Sequence, residues 1–211
     1  LANTKHVVTS PARWDSGEWQ QALFLGGVTY LVHDNDEAIR RHVQTSRSGG
    51  TDNAAKLGNA VPAAGALYFT GTYFYGNDRQ RKTAVNALES AATALVITEG
   101  LKFIAHRDRP NGQDDDSFPS NHTAAAFAMA TVAAEEYKEN KFAAPLAYGL
   151  ATLTAYGRLN DDKHWASDVL AGALIGHYTA KQIMKQHDKT PYHVQPYLSA
   201  TSNGVLVSKQ F

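Results

Sequence analysis

Three short segments in the second half of the chain bring together residue types suited to phosphoryl transfer. They are Lys102-x(6)-Arg109-Pro110, Pro119-Ser120-Asn121-His122 and Arg158-x(5)-His164-x(3)-Asp168. Three cations, two histidines and a carboxylate occur in a fixed order. Arginine offers a bidentate fork to phosphate oxygens and lysine a compact point charge. Ser120 precedes an alanine-rich stretch and is a natural helix N-cap, and the free N–H groups of a first helical turn form an anion site. His122 falls within reach of an anion bound there. His164 and Asp168 are four residues apart, which on a helix sets both on one face and lets the carboxylate fix the imidazole tautomer. The remaining ring nitrogen is then free to act as a nucleophile.

Taken singly, each segment has a plain alternative. A Lys/Arg cluster is commonly a solvated helix end, Ser-x-x-Thr a simple cap, and His-x(3)-Asp a surface pair. The specificity lies in order and joint content. Together the segments resemble the three-part signature of the type 2 phosphatidic acid phosphatase superfamily: K-x(6)-R-P, P-S-G-H and S-R-x(5)-H-x(3)-D. That superfamily includes bacterial non-specific acid phosphatases, lipid phosphate phosphatases and vanadium haloperoxidases. The matched stretch, Lys102 to Asp168, covers about a third of the chain, and all three spacings agree. Two positions depart: Asn121 stands where glycine is usual and Gly157 where serine is usual.

The resemblance implies a role for each matched residue. His164 attacks phosphorus to form a phosphohistidine, and Asp168 orients it and stabilises its cationic form. His122 protonates the leaving oxygen and then activates water. Lys102, Arg109 and Arg158, with Ser120 and the backbone N–H of Asn121, hold the phosphoryl oxygens. Phosphoryl transfer rests on positioning and on stabilising oxygen charge, so three cations can serve where a metal serves elsewhere. The expectation is a phosphatase acting on phosphomonoesters or on lipid phosphates and diphosphates, with no metal and no cofactor; phosphate or vanadate would occupy the site as ligand or inhibitor. The alternatives are a vanadium-dependent haloperoxidase and a non-catalytic anion-binding protein.

The rest of the chain must position these groups. Its 211 residues suffice for one sizeable core, and one domain over 1–211 is expected, with the motifs at 102–168 and a tail at 190–211. Twenty basic and twenty acidic residues give a formal net charge of zero, which excludes a general nucleic-acid binder. The absence of cysteine excludes disulfide scaffolds, thiolate zinc sites and cysteine nucleophiles. Apolar periodicity predicts helices over about 17–33, 36–43, 54–75, 78–105, 120–137, 143–156 and 165–185. The fold class expected is all-α, a helical bundle with a short C-terminal β-hairpin or extended tail.

Asn77 or Asp78 is the predicted cap of the 78–105 helix, and Pro110 forbids its continuation. The apolar stretch Ala60–Tyr75 is too short for a membrane helix and reads as a buried core helix, its aromatic residues as core. Peripheral membrane contact is compatible with a lipid substrate. Ala124–Ala126, Ala171–Ala173 and Gly26-Gly27 read as points of close helix packing. Asp114–Asp116 reads as a solvated loop, and His106 as a residue flanking the cations. Asn203-Gly204 between β-like runs signals a hairpin. The chain opens at Leu1 rather than Met, which is compatible with a removed signal peptide and a periplasmic location.

Overall fold

The computed structural model describes the backbone of residues 2–189, 192–198 and 203–209 and the side chains of residues 4–188. Its helices are α1 (Ala2–Val8), α2 (Ser16–Asp34), α3 (Asp36–Thr45), α4 (Gly49–Tyr75), α5 (Asp78–Ala105), α6 (Asn121–Glu136), α7 (Ala143–Asn160) and α8 (Ala166–Lys189), with a 3-10 turn at Ser10–Arg13. All seven predicted helices are present. Their starts have local causes. Asp15, Ser48 and Asn77 each accept a hydrogen bond from the backbone N–H three residues on, and the side chain there accepts one from the cap's own backbone N–H. These reciprocal caps satisfy two orphan donors at each start. His106 closes α5 in the left-handed conformation (φ 42°).

Helix α6 is the centre of the packing. It contacts α5, α7 and α8, while α4 lies against α7 and α5. Ala124, Ala125, Ala126, Ala128, Ala130, Val132 and Ala134 of α6 are all buried. An alanine surface lets neighbouring axes approach closely, and glycines on the partner helix carry this further. A Cβ at Gly176 would lie 2.2 Å from the Ala124 carbonyl oxygen, and one at Gly172 would lie 2.5 Å from that of Ser120. The α6–α8 contact therefore brings the N-terminal ends of both helices side by side, joined by a hydrogen bond from Ser120 N–H to the Asp168 carbonyl (3.0 Å). The buried face of α8 runs through Asp168, Val169, Gly172, Gly176, Ala180 and Ile183. Leu170, Ala173 and Leu174, on neighbouring faces, are only partly buried.

Two packing expectations are corrected. Nothing lies within 4 Å of a Cβ built at Gly26 or Gly27, so this pair marks no helix contact. Nor is α4 a buried core helix. Phe69 is buried and Tyr73 packs on the core, but Leu67, Tyr68, Phe74 and Tyr75 are exposed, Tyr75 by 93%. An outer helix has neighbours on one side only, so apolar residues around its whole circumference cannot all be covered. Leu23, Phe24 and Leu31 of α2 are exposed in the same way. Among the described residues no helix is long and apolar enough to cross a membrane.

The tail forms the expected hairpin, with β1 (Tyr192–Leu198) antiparallel to β2 (Asn203–Lys209). Its register pairs Leu198 with Asn203 and Tyr197 with Gly204, so Asn203-Gly204 opens the second strand instead of making the turn. Ser202 lies outside the described residues.

The glycine contacts give a contrasting pair of substitutions. Gly176→Ala should destabilise the protein by about 1–3 kcal/mol through overpacking against the α6 backbone. Gly149→Ala, on an exposed turn of α7 with nothing within 4 Å, should stabilise it by about 0.5–1 kcal/mol through helix propensity. Denaturant unfolding of the two variants checks both signs.

Candidate active site

The three motif segments converge where the N-terminal ends of α6 and α8 meet the C-terminal ends of α5 and α7. Lys102 lies in the last turn of α5 and Arg158 in the last turn of α7. Lys102, Arg109, His122, Arg158 and His164 act on one another electrostatically, as expected of one cluster.

The cations are held mostly by neutral oxygens. The Lys102 ammonium, 6% exposed, donates to the carbonyl of Asp116. Arg109 donates to the carbonyls of Lys163 (3.2 Å) and Asp116 (3.3 Å), and its Nε to the carboxylate of Asp114. Arg158 Nη1 donates to Asn59 Oδ1 (3.1 Å), and its Nε is buried without a partner among the described residues. Burial, then the charge of Arg109, lowers the pKa of Lys102 and of Arg158. Both shifts record positive charge that the protein does not neutralise.

His164 is buried, and its Nδ1 lies 2.7 Å from the carbonyl oxygen of Ser117 and 3.7 Å from Asp168 Oδ2. A carbonyl oxygen can only accept, so Nδ1 carries the proton and Nε2 presents its lone pair. The tautomer is thus fixed as expected, but by a backbone carbonyl, with Asp168 acting mainly through its charge. Burial lowers the His164 pKa, against the opposing pull of Asp168. Asp168 is fully buried. Burial alone would raise its pKa, but His164, Ser117, Arg107 and the Trp165 N–H outweigh it and hold the carboxyl below its ordinary range.

Ser120 does cap α6 by position, but its side chain makes no cap hydrogen bond. Its buried hydroxyl pairs with that of Thr123 (3.0 Å), so the anion-binding groups of this helix start are its backbone N–H donors. Asn121 is the first residue of α6, and its side-chain amide donates to Glu99. His122 follows it and keeps part of its surface open to solvent. Burial, followed by the charges of Arg158, His164, Arg109 and Lys102, lowers its pKa to about 4.

Several residues of the site carried no signal of their own. Asn59, on α4, spans from Arg158 to Asp161, its Nδ2 donating to Asp161 Oδ2 (2.6 Å). Ser117 donates to Asp168 and accepts from His164 through its carbonyl. The Asp114–Asp116 run faces solvent but is not idle. Asp114 pairs with Arg109, Asp115 with His106 (3.1 Å), and the Asp116 carbonyl takes two of the cations. The departure at Gly157 has a steric cause: a Cβ there would meet the Ala55 carbonyl oxygen at 2.8 Å, where α7 packs on α4.

A cavity of about 1340 Å³ lies beside this cluster, between α2 and α8, and reaches Arg107, Trp165 and Ser167. It is lined by residues such as Leu25, Tyr30, Leu174 and Tyr178, and by none of the three cradle cations or the two site histidines. Among the described residues no group of three or more His, Cys, Asp or Glu is placed to hold a metal ion.

Residues 83–192 match the family model of the PAP2 superfamily. The lipid A 1-phosphatase of Porphyromonas gingivalis is 33% identical over 154 residues, which are 71% of this chain and 33% of that protein. The chain thus spans about a third of the length of that relative. Two crystal structures share the fold. Aquifex aeolicus LpxE superposes with a TM-score of 0.60 at 22% identity, over 71% of this chain and 94% of that one. The transmembrane PAP2-type phosphatidylglycerolphosphate phosphatase of Bacillus subtilis gives 0.62 at 21%, over 79% and 94%. The chain belongs to the PAP2 superfamily, and its all-α fold is that of the superfamily.

The depressed His122 pKa fixes a sign. Between pH about 6.5 and about 4 the unfolded chain takes up a proton on this residue that the folded chain refuses, so stability falls as pH drops through that window. A bound phosphate adds negative charge and reverses the shift. Histidine NMR titration should give His122 a pKa near 4 in the free protein and a value at least about one unit higher in saturating phosphate. An unchanged value would place the anion away from His122.

Proposed function

We propose that this chain is the catalytic part of a phosphatase that hydrolyses lipid phosphates, and simple phosphomonoesters as surrogates, through a phosphohistidine and without a metal. The observation that carries this reading is the His164 Nδ1–H bond to the Ser117 carbonyl, which leaves Nε2 unprotonated beside two under-neutralised cations, Lys102 and Arg158. Nε2 attacks phosphorus as the bond to the leaving oxygen breaks, and His122 gives that oxygen a proton. Lys102, Arg109, Arg158 and the first-turn N–H groups after Ser120, including that of Asn121, hold the three equatorial oxygens as charge accumulates on them. The charge of Asp168 stabilises the cationic ring of phosphorylated His164. In the second step His122 takes a proton from water, the new P–O bond forms, and the N–P bond breaks. Free imidazole returns and phosphate leaves.

A lipid substrate is supported by the names of the relatives and by the apolar surface, which includes Phe103 and Ile104 directly after Lys102, 80% and 77% exposed. Peripheral contact with a membrane on its periplasmic side belongs to the same reading. Nothing in the site or the comparisons favours the haloperoxidase or non-catalytic alternatives over it.

The test is hydrolysis of phosphatidic acid, phosphatidylglycerol phosphate, lipid A and p-nitrophenyl phosphate in EDTA. His164→Ala should lower kcat by on the order of 10³-fold or more. Activity that survives that change would sink the phosphohistidine, and activity that needs an added divalent metal would sink the metal-free mechanism. His122→Ala should cost about 10²–10⁴-fold with alkyl phosphates, which need a protonated leaving group, and much less with p-nitrophenyl phosphate, which does not.

A further inference from the structure

Behind Asp168, on the side away from His164, lies a largely buried ionic assembly, with His33 at its exposed edge, that the proposed roles do not use. Arg107 Nη1 donates to Asp168 Oδ1 (2.5 Å) and to Ser167 Oγ (2.7 Å). Its Nη2 donates to Asp36 Oδ2 (2.7 Å) and to His33 Nδ1 (2.9 Å). Asp36, 4% exposed at the start of α3, also accepts from the backbone N–H (2.9 Å) and hydroxyl (2.5 Å) of Ser167. The Arg107 guanidinium lies 5.5 Å from the Trp165 ring centroid. Asp168 Oδ2 is held by Ser117 Oγ (2.5 Å) and Trp165 N–H (2.8 Å). Both carboxylate oxygens are therefore fixed from outside the His164 contact, and Arg107 makes the only charged one.

We propose that Arg107, anchored by Asp36, is a positioning residue for the reaction: it sets the place and the net charge of Asp168, so that the buried assembly is balanced only when His164 is cationic. The charge count carries this. His33 accepts from Arg107 at Nδ1 and adds no charge in this geometry, so two carboxylates and one guanidinium sum to −1, and a neutral His164 imidazole leaves that charge unmet. In the phosphohistidine the ring keeps its Nδ1 proton and bears a positive charge, and the sum becomes zero. A buried group of charges is most stable when matched, so the assembly favours the intermediate over the resting state. An Asp168 without Arg107 would be a second uncompensated buried carboxylate charge. An Asp168 with Arg107 but without Asp36 would be neutralised before His164 could use it. The proposal rests on His164 as nucleophile.

The test uses the full chain with Arg107→Ala, Arg107→Lys and Asp36→Asn, with His164→Ala as reference. Phosphate binding should stay within about threefold of wild type, because none of these residues belongs to the cradle, while kcat for p-nitrophenyl phosphate should fall by about 10–100-fold with KM little changed. Arg107→Lys should recover part of the loss. A second readout needs no turnover. The His164 pKa, measured by NMR, senses Asp168, Arg158, Lys102, His122 and this assembly. Loss of the Arg107 charge should raise it, and loss of the Asp36 charge should lower it, each by about one unit. Folded variants with kcat within threefold of wild type, or His164 shifts that are absent or of one sign, would overturn the proposal. Should Arg107→Ala fail to fold, Arg107→Gln, which removes the charge and keeps hydrogen-bonding bulk, gives the same decision together with Asp36→Asn. An active His164→Ala would instead defeat the underlying reading, so the two failures are distinguishable.

Discussion

The structure is organised around positive charge that it declines to neutralise. Burying a cation costs several kcal/mol unless it is paired, and the usual remedy is a carboxylate. Here Lys102 is met by a carbonyl and Arg158 by an amide oxygen, and one nitrogen of Arg158 is left without a partner among the described residues. Dipoles of this kind orient a cation without cancelling it. Had carboxylates filled these places, an entering phosphate would have to displace them. Only Arg109 has an acidic partner, Asp114, and that carboxylate sits at the solvent rim. An anionic ligand would supply the counter-ion that the proposed site lacks.

That arrangement explains features of the fold far from the chemistry. Neutral oxygens must be delivered from several directions, so the segment from His106 to Pro119 wraps the end of the bundle with the Asp116 carbonyl turned towards Lys102 and Arg109 and the Ser117 carbonyl towards His164. Helix α4 contributes Asn59 because it lies almost in backbone contact with α7 at Gly157. A serine at that position would have to push the two helices apart and carry Asn59 away from Arg158. The same logic holds at Gly172, where α8 approaches α6 closely enough for the Ser120 N–H to bond the Asp168 carbonyl. That bond couples the start of α6 to the segment that carries His164, the proposed nucleophile.

How much of this could be read from the chain follows from the range of each interaction. Most helices were legible because their causes are local, as where Asn77 caps α5 through a residue three positions away, but α1 was not expected and α4 starts at Gly49, ahead of its predicted start at 54. The charged residues were legible because their types and spacing are unusual together. The partners were not. Asp36 reaches Arg107 across 71 positions and Asn59 reaches Arg158 across 99, with no local pattern at either end. Carbonyl acceptors such as Ser117 and Asp116 are invisible in principle, since every residue has one. Burial failed for a related reason. The apolar composition of α4 and of Gly26-Gly27 says that a surface exists, but whether a neighbour covers it is settled by tertiary packing.

The asparagine at 121 shows how a departure in sequence can leave a site's physics intact. Glycine's special conformations are not required there, since Asn121 opens a right-handed helix and the positive-φ residues of the described chain are His106, Gly112 and Asp162. What the position must supply is a backbone N–H aimed past the helix end, and asparagine has one. The added side chain must then be kept out of the anion's space. Its amide is tied to Glu99, one turn before Lys102 on α5, which draws it against that helix. The tie also sets a carboxylate near the cluster, where it favours the charged form of Lys102 against the effects of burial and Arg109. The substitution thus brings its own restraint, and a positively charged lysine is what the anion site needs.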